Sequence, residues 1–261
     1  MIEPMLRRLF VPRPIALAIV ALLAWPASSF AQVTVIISGG FSAAYQELLP
    51  EFERSSGVKV TTTSGPSYGN APNTIGAQIR RGVPADVIIL SREGLAELIA
   101  EGRIVPGSDT DLARASLGVA VRQGATKPDI STVESLKQAL LRAKSVTFTS
   151  STSGVYLTTT LFPRLGIANE MAGKSTTAGA IAVARGDAEL AIQPVSELLP
   201  VPGVELVGLV PAELQKVNVY AAAIVAGSKQ ADAAKRLIAF LSAAGATEAI
   251  KKSGMEAVAK P

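Results

Sequence analysis

The chain of 261 residues contains no cysteine and no histidine. The first absence excludes disulfides, thiolate nucleophiles and dithiol redox pairs. The second removes the general base of a Ser-His-Asp triad. Together they exclude zinc sites of thiolate and imidazole, and a carboxylate-only site would suit only hard cations. Neither a metal nor an organic cofactor is expected. Phosphate-binding patterns are missing too: no GxxxxGK[ST] and no GxGxxG occurs, so nucleotide binding is not expected. Aromatic residues make up 5% of the chain, with one Trp, too few for a surface that stacks single-stranded nucleic acid.

What is plentiful is apolar: 48% of residues are hydrophobic, and the mean hydropathy is +0.35. Much of this sits at the N-terminus. Arg7, Arg8 and Arg13 precede the apolar run Ile15 to Trp25, and the small residues Ser29 and Ala31 stand at −3 and −1 of a cleavage point before Gln32. That order is the pattern of a secretory signal peptide over residues 1–31, and the apolar run is too short to span a bilayer. Export to the periplasm is therefore expected. Removing the leader takes away three Arg and Glu3 and reduces the net charge from +4 to +2. The remaining Lys and Arg are scattered, which argues against a nucleic-acid partner.

The rest alternates short apolar runs with helical periodicities. Val33 to Ser38 reads as a strand, then Tyr45, Leu48, Leu49 and Phe52 mark a helix at i, i+3, i+4, i+7. Val58 to Thr63, the unbroken Asp86 to Leu90, Leu117 to Val121, Ser145 to Phe148 and Glu189 to Ile192 are further strands. Val204 to Val210 and Val217 to Val225 are two more. Helices are predicted over Ile75 to Arg81, Glu93 to Glu101, Ser131 to Ala143, Val155 to Leu165, Ala178 to Arg185, and from Gln230 to about Met255 with glycine breaks. Connections this short indicate βαβ units and a parallel sheet. The fold class is α/β: two Rossmann-like lobes with a ligand cleft between them, joined by strands crossing near residues 114–122 and 217–226. One lobe would comprise residues 32–116 plus 222–261, the other 117–221.

In such sheets ligands bind at the carboxyl ends of strands, where helix N-termini present free N–H groups. Three strand ends carry Ser/Gly-rich turns: Ser38-Gly39-Gly40-Phe41-Ser42, Ser64-Gly65-Pro66-Ser67, and Ser150-Ser151-Thr152-Ser153-Gly154. Hydroxyls and amides of this kind suit an anion. Near them, Ser91 and Arg92 follow the strand Asp86 to Leu90, and Arg92 could grip a carboxylate with two hydrogen bonds. Tyr68 and Tyr156 could each donate a phenolic hydrogen bond, and Gln193 follows another strand. Asp86 reads as a structural residue at a strand start.

The order of these segments resembles the type II periplasmic substrate-binding proteins of ABC importers, in the molybdate-binding branch. The most specific stretches are Gly82-Val-Pro-Ala-Asp-Val87 and the C-terminal Phe240-Leu-Ser with Ala-Ile-Lys-Lys-Ser-Gly254. The resemblance implies two α/β lobes that close on a ligand, a membrane permease as partner, and a monomer. It carries Ser38, Ser64, Ser67, Ser91, Ser153 and Tyr156 over as ligand-binding positions. Two positions depart from the family pattern. Gly40 stands where a serine is usual, and Ile192-Gln193-Pro194-Val195-Ser196 where a tyrosine is. A related branch includes an aconitate isomerase and organic-acid binders, and Tyr68, Asn70, Arg92 and Gln193 suit a carboxylate-bearing ligand.

Two functions follow. The first is capture of a small anion, an organic polycarboxylate or a molybdate-like oxyanion, for import, with Ser38, Gly39, Gly40, Ser64, Ser67, Tyr68, Ser91, Arg92, Ser151, Ser153, Tyr156 and Gln193 as ligand contacts. The second is an isomerase of the aconitate type, whose proton shift would fall to Tyr68, Tyr156 or an acid such as Glu93, with Arg92 holding a carboxylate.

Overall fold

A computed structural model describes residues 32–258; the leader expected over residues 1–31 lies outside them. The first strand, β1 (Gln32–Ile37), runs directly into α1 (Gly39–Ser56), followed by β2 (Lys59–Ser64), α2 (Ile75–Arg80), β3 (Val87–Ser91) and α3 (Arg92–Ala100). After the long β4 (Thr110–Arg122) come α4 (Val133–Arg142), β5 (Val146–Thr147), α5 (Thr152–Tyr156), a π-helical turn at Leu157–Leu161, α6 (Phe162–Leu165) and α7 (Ala168–Ala172). Then follow β6 (Ser175–Thr176), α8 (Ala180–Arg185), β7 (Leu190–Pro194), α9 (Val195–Leu198), β8 (Val204–Leu209), β9 (Val217–Ile224), α10 (Ala231–Leu241), α11 (Thr247–Lys252) and β10 (Glu256–Ala257).

Local chemistry accounts for the element ends. Along α1 the buried residues Phe41, Tyr45, Leu48 and Phe52 form one stripe. The helix stops at Gly57, whose φ of 69° is cheap only for glycine and whose N–H caps Glu53 O. At α4 the Thr132 hydroxyl accepts from Ser135 N–H while the Ser135 hydroxyl accepts from Thr132 N–H. This closes a capping box between Thr132 and Ser135.

The sheets are mixed, not parallel. β2, β1 and β3 run parallel, but β9 pairs antiparallel with β3, and β4 antiparallel with β9. An apolar run reports burial on both faces and carries no information on strand direction. The long strand β4 belongs to both sheets. Its residues from Thr110 to Ser116 pair with β9, and those from Leu117 to Arg122 with β7 and β8. Beyond β7 the second sheet continues through parallel β5 and β6. β9 lies wholly on the first sheet, so the chain returns from the second lobe just before Val217.

Each sheet is covered on both faces. Phe41, Tyr45 and Phe52 pack with Val33, Val35 and Leu237 on one side of the first sheet, and Ile36, Ile88 and Leu95 fill the other. In the second lobe Leu136, Phe148, Leu161 and Phe162 form one layer, and Ala182, Val183 and Leu198 the opposite one. Burying a side chain of this size stabilises by about 1.5–3 kcal/mol. The two pairs of cores hold the strand ends that meet between the lobes.

Candidate functional site

β1, β2 and β3 end in register: Ile37 stands opposite Ser64 on one side and Ile89 on the other. The turns beyond them face the turns after β5 and β7 across a cavity of about 470 Å³. Ser38, Gly39, Ser42, Ser64 and Ser67 line it from the first lobe, and Thr149, Ser151 and Glu197 from the second. Ser38 is the N-cap of α1, yet its hydroxyl makes no capping bond and has no partner although buried. The Thr149 hydroxyl is buried as well, but it lies against the Glu197 carboxyl. A buried unpaired hydroxyl costs about 1–3 kcal/mol, so Ser38 is poised for a guest. The first turn of the 18-residue α1 carries no acidic residue, which leaves its free N–H groups and partial positive charge to the cleft. Among the described residues, no Lys or Arg lines the cavity.

A somewhat larger depression, about 520 Å³, lies at the opposite ends of the strands beside Thr34 and Asp86. Its main polar groups satisfy one another. Asp86 accepts from Thr34 N–H at 2.8 Å and from the Ser228 hydroxyl at 2.6 Å. Asp86 is thus a structural residue, and the depression lacks the unpaired hydroxyls of the cleft.

Glu197 is the ionisable side chain of the cavity lining, and sequence reasoning missed it. It sits on the short α9, brought to the cleft because α9 follows β7 without a loop. Its Oε2 accepts from Gln193 Nε2 at 2.7 Å, and Gln193 Oε1 in turn accepts from Ala180 N–H at 2.6 Å. Its Oε1 lies close to the start of α1, 3.7 Å from where a Cβ on Gly39 would stand. Enclosure pushes the carboxyl above the ordinary glutamate range, against the lowering effect of hydrogen bonds from Gln193 and then Thr149. The signal available in the sequence was only an acid five residues beyond the expected strand end at Ile192.

Tyr220, on β9 opposite Ser91, fills the space beside Gly40: a Cβ there would fall 1.8 Å from its hydroxyl oxygen. Only glycine fits at position 40, and the residue is shut off from the cavity. Burial, then the neighbouring Glu197, raises the Tyr220 hydroxyl well above 10.

Of the residues singled out in the sequence, the structure brings Ser38, Gly39, Ser64, Ser67 and Ser151 together. The others lie elsewhere. The Ser91 hydroxyl is spent on Thr152 at 2.7 Å, and Ser67 N–H reaches the Ser151 hydroxyl at 3.2 Å, so these groups stitch one lobe to the other. Ser153 is buried in the first turn of α5. The Tyr156 hydroxyl donates to Leu214 O at 2.9 Å, anchoring the return between lobes. Tyr68 does not line the cavity, and Gln193 acts on it through Glu197. Arg92 turns away from the cleft to Asp109 and Asp111, with Nη1 2.6 Å from Asp109. Its guanidinium is already matched by two carboxylates, so it offers no carboxylate grip in the cleft. Glu93 is held by Lys216 at 2.6 Å and lies outside the cavity lining as well.

A hydroxyl-lined cavity at the carboxyl ends of strands from two lobes defines a two-lobed protein that encloses a small solute. Residues 33–256 match the bacterial extracellular solute-binding proteins, and the chain belongs to that family. Its two-lobed fold is that of the periplasmic binding proteins. It is 39% identical over 231 residues to an aconitate isomerase of a Pseudomonas species, across 87% of this chain and 88% of that protein. A molybdate-binding protein of Azotobacter vinelandii is 27% identical, across 87% and 91% of the two chains. The solved periplasmic molybdate-binding protein of Azotobacter vinelandii shares the fold, with a TM-score of 0.67 at 18% identity over 88% of this chain and 100% of that one.

Proposed function

We propose that this protein is exported by cleavage of its leader before Gln32 and, as a monomer, captures a small polycarboxylate in the cleft for an ABC-type permease. The observation that carries this reading is the cavity itself: about 470 Å³, lined by hydroxyls beside the start of α1, without a cationic side chain. Such a lining donates hydrogen bonds to an anion without a counter-charge. A single tetrahedral oxyanion would leave much of this volume unfilled. An acid of several carboxylates fills more of the space and offers groups to both lobes.

The test is a thermal-unfolding series with molybdate, sulfate, phosphate, citrate, and cis- and trans-aconitate. A ligand at about 100 times its Kd adds about 2.7 kcal/mol, which raises the Tm of a domain this size by roughly 5–10 °C. The rise is expected with the organic acids. A rise with molybdate alone defeats the polycarboxylate reading.

A second reading, that the bound acid is isomerised, is favoured by the ionisable group in the cavity. A protein that only held anions would have little use for Glu197 there. The likeness to the Pseudomonas aconitate isomerase supports the same reading.

A further inference from the structure

We propose that Glu197 carries the proton in this cleft, taking it from one carbon of an unsaturated polycarboxylate and returning it two carbons away. The proposal rests on the reading that the bound acid is isomerised. A 1,3-proton shift needs one group that is both base and acid within reach of the substrate. The other candidates are not in the cleft: Arg92 is held by two aspartates and Tyr156 by Leu214 O, while Tyr68 and Glu93, the latter paired through Oε1 with Lys216, lie outside the cavity lining. The remaining side chains of the lining are hydroxyls, an amide and prolines, and none of these is a base near neutral pH.

Glu197 is placed for the task. Gln193, fixed by Ala180 N–H, holds Oε2 and leaves Oε1 on the side of Gly39 and the start of α1. Gln193 is therefore a positioning residue. Enclosure makes the carboxylate a stronger base than a solvated glutamate. The step balances without any co-reactant. Glu197 removes a proton from the methylene beside the double bond, and that C–H pair becomes the new double bond. The old π pair moves to the far carbon, and Glu197 returns the proton there. The negative charge of the intermediate rests on the substrate's carboxylate oxygens. The unpartnered Ser38 hydroxyl and the first-turn N–H groups of α1 are donors for that charge.

The experiment follows purified protein with trans-aconitate in D₂O by proton NMR, beside thermal unfolding with the same acid. Wild-type protein is expected to form the cis isomer, with or without deuterium uptake. Glu197→Gln should slow this by about 10²–10⁴-fold while the acid still raises the Tm. Glu197→Asp, which keeps an acid in place, should recover part of the rate and serves if the Gln variant does not fold. Isomerisation by Glu197→Gln within tenfold of wild type overturns the proposal. A stabilised wild-type protein that leaves the acid unchanged overturns it too, but leaves capture standing. No stabilisation by any organic acid removes both.

Discussion

Arg92 and Glu197 occupy comparable places, one directly after β3 and the other three residues after β7, yet the structure uses them in opposite ways. Arg92 has a side-chain exposure of 35% and is neutralised by Asp109 and Asp111 on its own lobe. Among the described residues Glu197 has no ion-pair partner; its carboxyl is met by the Gln193 amide and the Thr149 hydroxyl, and it faces a cavity. A charge that is matched at the surface serves local structure and is open to solvent screening. A carboxyl that is enclosed and unmatched makes the apo protein less stable, and such groups are found where chemistry or binding uses them. The contrast can be broken in three ways.

The largest effect is expected at the support of Glu197. Gln193→Leu keeps the volume but leaves Ala180 N–H without its buried acceptor and Glu197 without its donor. The loss should be about 2–4 kcal/mol, read as a lower urea midpoint at unchanged slope. A loss below about 1 kcal/mol would mean that water replaces Gln193 and that Glu197 is not held in place.

The second effect is a pH dependence whose sign follows from the raised carboxyl. In the pH range between the unfolded and folded values of Glu197, the native state binds the extra proton. Stability therefore falls as pH rises from the ordinary glutamate value through the raised one. Glu197→Gln, neutral throughout, should match wild-type stability below the ordinary glutamate value and exceed it as pH rises through the raised one. Tm against pH for the two proteins checks this. Parallel curves would place the carboxyl in contact with water and remove the contrast with Arg92.

Much of this arrangement was legible beforehand. The strand-turn pattern placed Ser38, Ser64, Ser67 and Ser151 at strand ends, because apolar periodicity and Ser/Gly turns are local signals. Two long-range features were not legible. The antiparallel direction of β4 and β9 depends on where the chain crosses between lobes, which an apolar run does not encode. The roles of Arg92 and Glu197 depend on what stands opposite them. Asp109 and Asp111, the partners of Arg92, lie 17 and 19 residues further along, beyond α3. Glu197 sits in Pro194-Val-Ser-Glu-Leu198, where only the direct passage of β7 into α9 turns it inward. For the same reason Gly40 reads in sequence as a lost serine, while in space it is the one residue that lets Tyr220 approach α1.

The smallest effect belongs to Arg92→Ala. Solvent screening at this half-exposed cluster limits the cost to below about 1 kcal/mol at neutral pH. Its pH dependence has the opposite sign to that of Glu197. The hydrogen bond from Arg92 holds the Asp109 carboxyl below the usual aspartate range. Its contribution is therefore present above the unfolded aspartate value and is lost as pH falls through the folded one. The gap between wild type and Arg92→Ala should close on acidification, while the gap for Glu197→Gln opens on alkalinisation. The rise in Tm produced by a bound organic acid should be the same in Arg92→Ala as in wild type. If that rise disappears, the guanidinium leaves its aspartates to reach the ligand, and the surface assignment of Arg92 fails.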